Sequence, residues 1–232
     1  MAKYYEAYEK RYRQVHEKQL SWASNQPSPI VLETIEKYTV KKTDKILELG
    51  CGEGRDSIFL LKQGYSVLGT DISKEAIQFC ISQNQEYHCS FQVLDICTSN
   101  LEEKFDFIYS VGVIHMLVLQ EDRDAYLRFI ASHLTKTGTA LILTMGNGTD
   151  EYESGIEHAF ENTIRIHQET GQELLVASTS CKVVNFENFE RELQKNNLKL
   201  IEKGITEQVP EFSVMMYGVV QADRIGTAEG NC

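Results

Sequence analysis

The chain has 232 residues, of which 42% are hydrophobic and 25% are charged, and its formal net charge is −11. This length suits a single domain over residues 1–232, and without a long apolar run or a visible secretory signal we expect a cytoplasmic protein that does not enter a membrane. An acidic chain that has no large cluster of Lys and Arg also lacks the basic face with which proteins bind nucleic acid.

The N-terminal segment carries an aromatic stripe. Tyr5, Tyr8, Tyr12 and Val15 recur at helical spacing, which places them on one face of a predicted helix. Two interpretations are open. The helix packs on the core, or residues 1–29 form a lid that closes over a ligand. Trp22, the sole tryptophan, could offer its ring to a cation or an acceptor, or could simply cover the core.

A glycine-rich loop follows the first predicted strand, in the run Lys45-Ile-Leu-Glu-Leu-Gly-Cys-Gly-Glu-Gly-Arg55. Its three glycines can take backbone angles that are closed to other residues, so the loop can turn tightly against a ligand. A dinucleotide-binding loop would place its third glycine where Arg55 stands. Glu48 would repel a pyrophosphate but suits a ligand that carries an ammonium group.

Strands and helices alternate after this loop. The pattern predicts a helix over 56–63, a strand over 65–70 that ends at Asp71, a helix from Ser73 to about 83, a strand over 90–94 that ends at Asp95, a strand over 105–109, a helix over 121–134 and a strand over 139–144. Such alternation is typical of a mostly parallel sheet with helices on both faces. Ligands of these sheets bind beyond the carboxyl ends of the strands, where Gly50, Asp71, Asp95 and Ser110 fall.

The rest of the chain departs from this alternation. Residues 146–186 predict an insertion that roofs a substrate pocket. The part of this insertion from residue 173 onward is β-rich. A helix over 187–195 and a terminal hairpin of strands 198–206 and 212–221 follow, and we expect the tail from Arg224 to be mobile.

The ordered motifs from about residue 44 to 145 resemble those of the class I S-adenosylmethionine-dependent methyltransferases. The glycine loop matches the first motif of that family, and the run Phe105-Asp-Phe-Ile-Tyr-Ser-Val-Gly-Val-Ile-His-Met116 matches its fourth. The resemblance implies a Rossmann-like, seven-stranded, mostly parallel sheet with an antiparallel last strand, and S-adenosyl-L-methionine as cofactor. The cofactor-binding residues implied are Glu48, Gly50, Cys51, Gly52, Gly54, Asp71, Ile72, Asp95, Ile96, Ser110 and Val111.

Within that set, each strand end has its own expected partner. Asp71 would accept hydrogen bonds from ribose hydroxyls, and Ile72 would pack against the adenine. By the resemblance, Asp95 would contact the adenine amino group, and Ser110 and Val111 would lie beside the methionine moiety.

The acceptor site is less strongly indicated. Lys10-Arg-Tyr-Arg13, Ser21-Trp22 and Pro27-Ser-Pro29 resemble the N-terminal run of thiopurine-type and tellurite-resistance-type methyltransferases. Tyr12, Trp22 and Arg165 are the candidate substrate residues, with Arg165 suited to an acceptor that carries a carboxylate. His115 is a candidate general base with a pKa near working pH, or a cap of a local turn.

Several methyltransferase classes are disfavoured. The Asn-Pro-Pro-Tyr segment and the Pro-Cys nucleophile of nucleic-acid enzymes are absent, and Ser110 stands where magnesium-dependent catechol-type enzymes have an Asp. The six cysteines form no Cys-x-x-Cys pair, so we expect free thiols and no metal.

The sequence therefore predicts methyl transfer to a small-molecule acceptor by in-line displacement, in a monomer or homodimer. A non-catalytic sensor or partner subunit that binds S-adenosylmethionine or S-adenosylhomocysteine is the alternative from another class. A nicotinamide-dependent dehydrogenase is disfavoured by Arg55 in the glycine loop.

Overall fold

The structure is a computed structural model that describes residues 3–209 and 212–224. The predicted mobility of the tail concerns residues beyond 224, which lie outside the described residues. The described helices are α1 (Ala7–His16), α2 (Pro29–Lys37), α3 (Arg55–Lys62), α4 (Lys74–Gln83), α5 (Gln120–His133) and α6 (Phe186–Lys195). The described strands are β1 (Lys45–Leu49), β2 (Ser66–Asp71), β3 (Phe91–Val93), β4 (Phe105–Val111), β5 (Leu134–Met145), β6 (Tyr152–Glu153), β7 (Asn162–Ile166), β8 (Glu173–Ala177), β9 (Lys182–Val183), β10 (Leu198–Thr206) and β11 (Met215–Ala222).

Seven strands form the central sheet, in the order β10-β11-β5-β4-β1-β2-β3. The last strand, β11, runs antiparallel to both of its neighbours, while the pairs among β3, β2, β1, β4 and β5 are all parallel. The predicted fold class is therefore confirmed. Register brings the carboxyl ends together, because Leu49 pairs with Thr70 and Glu48 pairs with Tyr109.

Helices cover both faces of this sheet. On one face, Tyr126 of α5 and Phe189 of α6 are buried against sheet residues such as Ile108. On the other face, Ile35 of α2 packs in a cluster with Phe107. Alternate residues of β4 thus enter opposite cores, as expected for a strand that is buried on both sides.

The insertion contains more strand than predicted. Residues 146–171 were expected to lack strands, but β6 pairs with β9, and β7 forms an antiparallel hairpin with β8. The pattern of β7 is hard to see in the sequence because most of its residues are exposed. β5 likewise begins at Leu134, five residues before the predicted start, directly after α5 ends.

The N-terminal helix is packed rather than loosely attached. Tyr4 and Tyr5 belong to the main core cluster, and Val15 packs against Leu174 and Val176 of β8. None of the helices in the described ranges is both long and apolar enough to cross a bilayer.

Candidate functional site

A cavity of about 730 Å³ opens at the carboxyl ends of the central strands. This volume falls within the roughly 300 to 1,000 Å³ of ligand-binding pockets. Its walls come from the glycine loop, the ends of β2, β3 and β4, the N-terminal segment and the insertion. Thirteen of the predicted site residues line it: Tyr12, Trp22, Glu48, Gly50, Cys51, Gly52, Asp71, Ile72, Asp95, Ile96, Val111, His115 and Arg165.

The glycine loop turns in a conformation that side chains would block. Gly50 and Gly52 have φ angles of +70° and +53°. A Cβ atom on Gly50 would overlap the side chain of Val113, and one on Gly52 would overlap the hydroxyl of Tyr12. These positions need glycine for both space and backbone conformation.

Asp71 is the buried carboxylate at the end of β2. Its two oxygens accept hydrogen bonds from the backbone amides of Gly52 and Ser73, each at 2.8 Å. Burial nevertheless raises the pKa of Asp71 to about 6. Each oxygen has a second lone pair, so the carboxylate can still accept from ligand hydroxyls in the cavity.

Asp95 lies across the cavity, after β3. It accepts hydrogen bonds from the Cys97 amide at 3.0 Å and from the Thr98 hydroxyl at 2.8 Å. The apolar side chains of Ile72 and Ile96 line the same wall, and this combination can flank a flat ring with a polar edge.

Two predicted residues do not line the cavity. The hydroxyl of Ser110 shares a hydrogen bond with Tyr126 of α5, because alternate residues of β4 point to opposite faces of the sheet. Gly54 caps α3, with its missing Cβ facing Cys80 rather than the cavity. The side chain of Ser110 therefore does not face the cavity, and Gly54 acts through the shape of the loop.

Glu48 lies in the cavity wall but bonds to the protein. Its Oε2 atom accepts from the amide and hydroxyl of Ser57 and, at 3.0 Å, from the hydroxyl of Tyr109. Burial, with a contribution from Asp56, raises the pKa of Glu48 to about 8. The carboxyl group thus fixes the start of α3 beneath the loop.

His115 lines the cavity but is a weak base. Burial, reinforced by the positive charges of Arg123 and Arg11, lowers its pKa to about 3. The expectation of a pKa near working pH is therefore wrong. Nδ1 faces the Met145 amide at 3.5 Å, a long contact, so the neutral ring can still present Nε2 as a hydrogen-bonding group.

The N-terminal segment meets the insertion at Arg11, which sequence reasoning noted only as part of a motif. Arg11 is buried, and its guanidinium donates to the carbonyls of Ala177 and Ser178 and to the hydroxyl of Thr179. It also lies 4.9 Å from the centroid of the Trp22 ring. These contacts join two cavity walls that are about 166 residues apart in sequence.

Glu53, inside the glycine loop, was also missed by sequence reasoning. It accepts hydrogen bonds from the amides of Trp22 at 2.6 Å and Ala23 at 2.8 Å, and from His16 at 2.9 Å. Such contacts are not readable from sequence, since no local pattern links them.

Two histidines of the insertion lie in different surroundings. His167 is buried at the cavity, with Nε2 at 2.7 Å from the carbonyl of Ser21. His158 is exposed and bonded to Glu161, away from the cavity. No group of three or more acidic, His or Cys side chains in residues 3–209 and 212–224 is arranged to hold a metal ion.

The arrangement fits an adenosyl amino acid. The tight glycine loop allows close backbone approach, Asp71 can accept from ribose hydroxyls, and the carboxylates nearby suit a cationic ligand.

Comparison with known proteins agrees with this geometry. Residues 46–138 match a family model described as a methyltransferase domain. The chain is 29% identical over 118 residues to a probable S-adenosyl-L-methionine-dependent methyltransferase TehB of Haemophilus influenzae, covering 50% of this chain and 41% of that protein. It is 26% identical over 133 residues to a juvenile hormone acid O-methyltransferase of Bombyx mori, covering 50% and 47%. The matches thus span less than half the length of these two relatives.

Solved structures share the fold over nearly the whole chain. The CcbJ methyltransferase of Streptomyces caelestis superposes with a TM-score of 0.66 at 15% identity, covering 92% of this chain and 98% of that one. A TehB-like methyltransferase of Corynebacterium glutamicum has a TM-score of 0.56 at 20% identity, covering 94% and 97%.

Proposed function

We propose that this chain, which belongs to the class I S-adenosylmethionine-dependent methyltransferases, transfers a methyl group to a small-molecule acceptor. The observation that carries the proposal is one continuous cavity that joins the glycine loop and Asp71 to the walls around His115 and Arg165. Cofactor and acceptor would share that space, as direct transfer requires.

S-adenosyl-L-methionine supplies an electrophilic methyl group on a sulfonium when it is bound. The chain's part is to bind, to orient and to exclude water. Asp71 would accept from the ribose hydroxyls, and the side chains of Ile72 and Ile96, which line the same cavity, would flank the adenine. A neutral His115 can orient the acceptor by hydrogen bonding but is a poor proton acceptor. The acceptor atom therefore arrives as a nucleophile in its own right, such as a thiolate, a neutral amine or an ionised oxygen.

An enzyme is favoured over a non-catalytic sensor by the space beside His115. A sensor that had lost turnover could fill this part of the cavity with side chains, whereas here it remains open and continuous with the glycine loop. The dehydrogenase alternative keeps the difficulty that the glycine loop carries the carboxylate of Glu53, which would repel a pyrophosphate.

We also propose that residues 1–29 and the insertion 146–186 enclose the acceptor. Tyr12 and Trp22 come from the first segment and Arg165 from the second, and all three line the cavity. Because Tyr4, Tyr5 and Val15 are buried, the N-terminal segment forms a packed wall of the cavity. A change in Trp22 fluorescence on titration with S-adenosylhomocysteine would support this role, and an unchanged spectrum would remove Trp22 from the site.

A cytoplasmic setting and a monomeric or homodimeric state remain parts of the proposal. The five described cysteines are free thiols, which suits a reducing compartment. Light scattering on the purified chain distinguishes the two oligomeric states.

The test of the function has two stages. Calorimetry should show binding of S-adenosylhomocysteine and none of NADH. Transfer of label from tritiated S-adenosylmethionine should then appear with at least one member of a panel of small thiols, amines, phenols and carboxylic acids. Binding of NADH alone would overturn the proposal, and cofactor binding without transfer to any member would favour the sensor.

A further inference from the structure

The acidic side chains that line the cavity lie on one side of it, where Arg55 at the start of α3 pairs with one of them. These acidic side chains are Glu48, Glu53, Asp56, Asp71 and Asp95, and all of them come from the glycine loop, the start of α3 and the ends of β1 to β3. The part of the insertion that lines the cavity contributes no Asp or Glu. It contributes instead the cation of Arg165, together with hydroxyl, thiol, imidazole and amide groups.

We propose that the insertion side of the cavity recognises an oxyanion, a carboxylate or a phosphate group, on the methyl acceptor, through Arg165 and Ser180. This inference rests on the proposed methyl transfer and names the class of its acceptor.

The first support is a buried cation without a countercharge. Arg11 is buried, yet no carboxylate of the described residues lies within ion-pair distance of its guanidinium; its partners are carbonyl and hydroxyl oxygens and the ring faces of Tyr8 and Trp22. Burial lowers the pKa of Arg11, and the nearby positive charge of Arg165 lowers it further. Two cations close to one another at a cavity wall make a place where an anion is favourable.

The second support is the position of Arg165. In the β7–β8 hairpin it pairs with Leu174, whose buried side chain faces α1. Cross-strand partners share a face of a hairpin, so Arg165 lies on the same face as Leu174. The residue is exposed, and it lines the cavity. Its guanidinium makes no hydrogen bond or ion pair with any side chain in the described ranges. The donors that fit a carboxylate or phosphate in a fork are therefore available.

The third support is a buried hydroxyl without a partner. Ser180 is 4% exposed and lines the cavity, and its Oγ atom has no hydrogen-bond partner among the described residues. Leaving a buried polar group unpaired costs roughly 1 to 3 kcal/mol, so such groups mark positions where a ligand completes the site.

The loop that carries Ser180 is held in a strained form. Thr179 has a φ angle of +63°, which is rare for a β-branched residue. Two contacts fix it: its hydroxyl accepts from Arg11 at 3.0 Å, and its amide donates to the carbonyl of Ala159 at 2.8 Å. Strain of this kind persists where surrounding contacts impose it, commonly at ligand sites. Here it sets Ser180 into the cavity wall.

These groups together favour an anionic acceptor over a neutral one. An oxyanion would receive two donors from the exposed guanidinium of Arg165 and one from the buried hydroxyl of Ser180, and hydrogen bonds to a charged group are stronger than those between neutral groups. A neutral acceptor could accept hydrogen bonds from Arg165 and Ser180 but would supply no countercharge to either cation. The net charge of −11 opposes a large polyanion, so the acceptor is a small molecule.

The test uses the full chain saturated with S-adenosylhomocysteine and three probes of similar shape: benzoate, phenyl phosphate and benzamide. Calorimetry should show binding of at least one anion and weaker or no binding of benzamide. Comparing benzoate with phenyl phosphate then distinguishes a carboxylate from a phosphate. Arg165→Gln should weaken the preferred anion about tenfold or more, and Ser180→Ala severalfold. Arg128→Gln, the same change at an exposed site on α5, should have no effect.

Each other outcome has a definite meaning. Failure of the unmodified chain to bind S-adenosylhomocysteine contradicts the proposed function itself. Cofactor binding with equal affinity for benzoate, phenyl phosphate and benzamide overturns the oxyanion proposal alone. If Arg165→Gln weakens S-adenosylhomocysteine but not the anions, Arg165 binds the cofactor carboxylate and the proposal is also wrong. Arg165→Lys, which keeps the charge, and Ser180→Ala decide the matter should the glutamine variant fail to fold.

Discussion

His16 of α1 donates a hydrogen bond to Glu53, with its Nε2 atom 2.9 Å from the Oε1 atom of that carboxylate in the glycine loop. The other ring nitrogen, Nδ1, lies 2.9 Å from Glu75 of α4. Donation from both nitrogens requires the protonated imidazolium. An ion pair between His16 and Glu53 thus links the N-terminal helix to the glycine loop.

This contact predicts a pH-dependent stability. Burial lowers the pKa of His16, but hydrogen bonds to Glu53 and Glu75 more than offset it, and the net shift is upward. A raised pKa in the folded state contributes stability that is complete below about 6.5 and is lost as pH rises through the folded value. Urea unfolding should therefore show His16→Gln to be more destabilising at pH 6 than at pH 9. An equal loss at both values would contradict a charged His16.

Glu53 should matter for ordering the cofactor loop. Glu53→Gln keeps the shape but removes the charge that accepts from His16 and from the Trp22 and Ala23 amides. We expect a loss of about 1 to 3 kcal/mol in the free energy of unfolding and weaker S-adenosylhomocysteine binding. Glu86→Gln, at an exposed position, is the matched control. It should change neither the free energy of unfolding nor that of S-adenosylhomocysteine binding by more than about 0.5 kcal/mol.

Asp71 should give cofactor binding a dependence on pH. Its pKa is raised to about 6, so the stability that it contributes is present below about 3.8 and is lost as pH rises through 6. Affinity for S-adenosylhomocysteine should move in the opposite direction, because ribose hydroxyls donate better to the ionised carboxylate. Calorimetry between pH 5 and 7.5 should show an increase of roughly 5- to 30-fold, the effect of about 1 to 2 kcal/mol.

The matched variant is Asp71→Asn. It should bind more weakly at pH 7.5 and show little change across the same interval. Glu9, whose charge contributes to the raised pKa of Asp71, stays in place in both proteins. If the affinity of Asp71→Asn still rises with pH, another group causes the rise, and the assignment of Asp71 to the ribose is wrong.

His115 should remain neutral throughout the physiological range. Its pKa of about 3 places its titration well below pH 5, and the folded state loses stability only as pH falls below the ordinary histidine value of about 6.5. Proton NMR of the His115 ring, assigned by comparison with His115→Gln, should show a constant shift from pH 5.5 to 8. A midpoint near 6.5 would restore His115 as a general base.

Arg123 should support the segment that carries His115. Its guanidinium is fully buried, bonds to Glu192 through two nitrogens at 2.8 and 2.7 Å, and donates to the carbonyls of Ile114 and Leu117. Glu192→Gln leaves a buried cation uncompensated, which typically costs about 3 to 5 kcal/mol. Thermal unfolding should show a large loss, whereas Glu187→Gln, on the exposed face of the same helix, should be nearly neutral.

The cofactor side of the site followed from sequence because its parts are local. A strand, three spaced glycines and the start of α3 are consecutive, and Asp71 comes one β-α-β unit later, so geometry within a single unit brings them together. The parallel sheet could be predicted because the alternation of strands and helices restricts the topology strongly, whereas the antiparallel last strand was implied by the resemblance to the methyltransferases.

The acceptor side, and the orientation of Ser110 on the cofactor side, were decided by tertiary structure. Whether Ser110 faced the cavity depended on strand parity and on the position of Tyr126 in α5, and the pKa of His115 depended on burial, which no sequence pattern states. The contact between Arg11 and Thr179 and the unpaired hydroxyl of Ser180 arise only when segments more than 160 residues apart are packed together. Local sequence fixes conformation over one turn or one strand, while burial and charge proximity are properties of the folded chain.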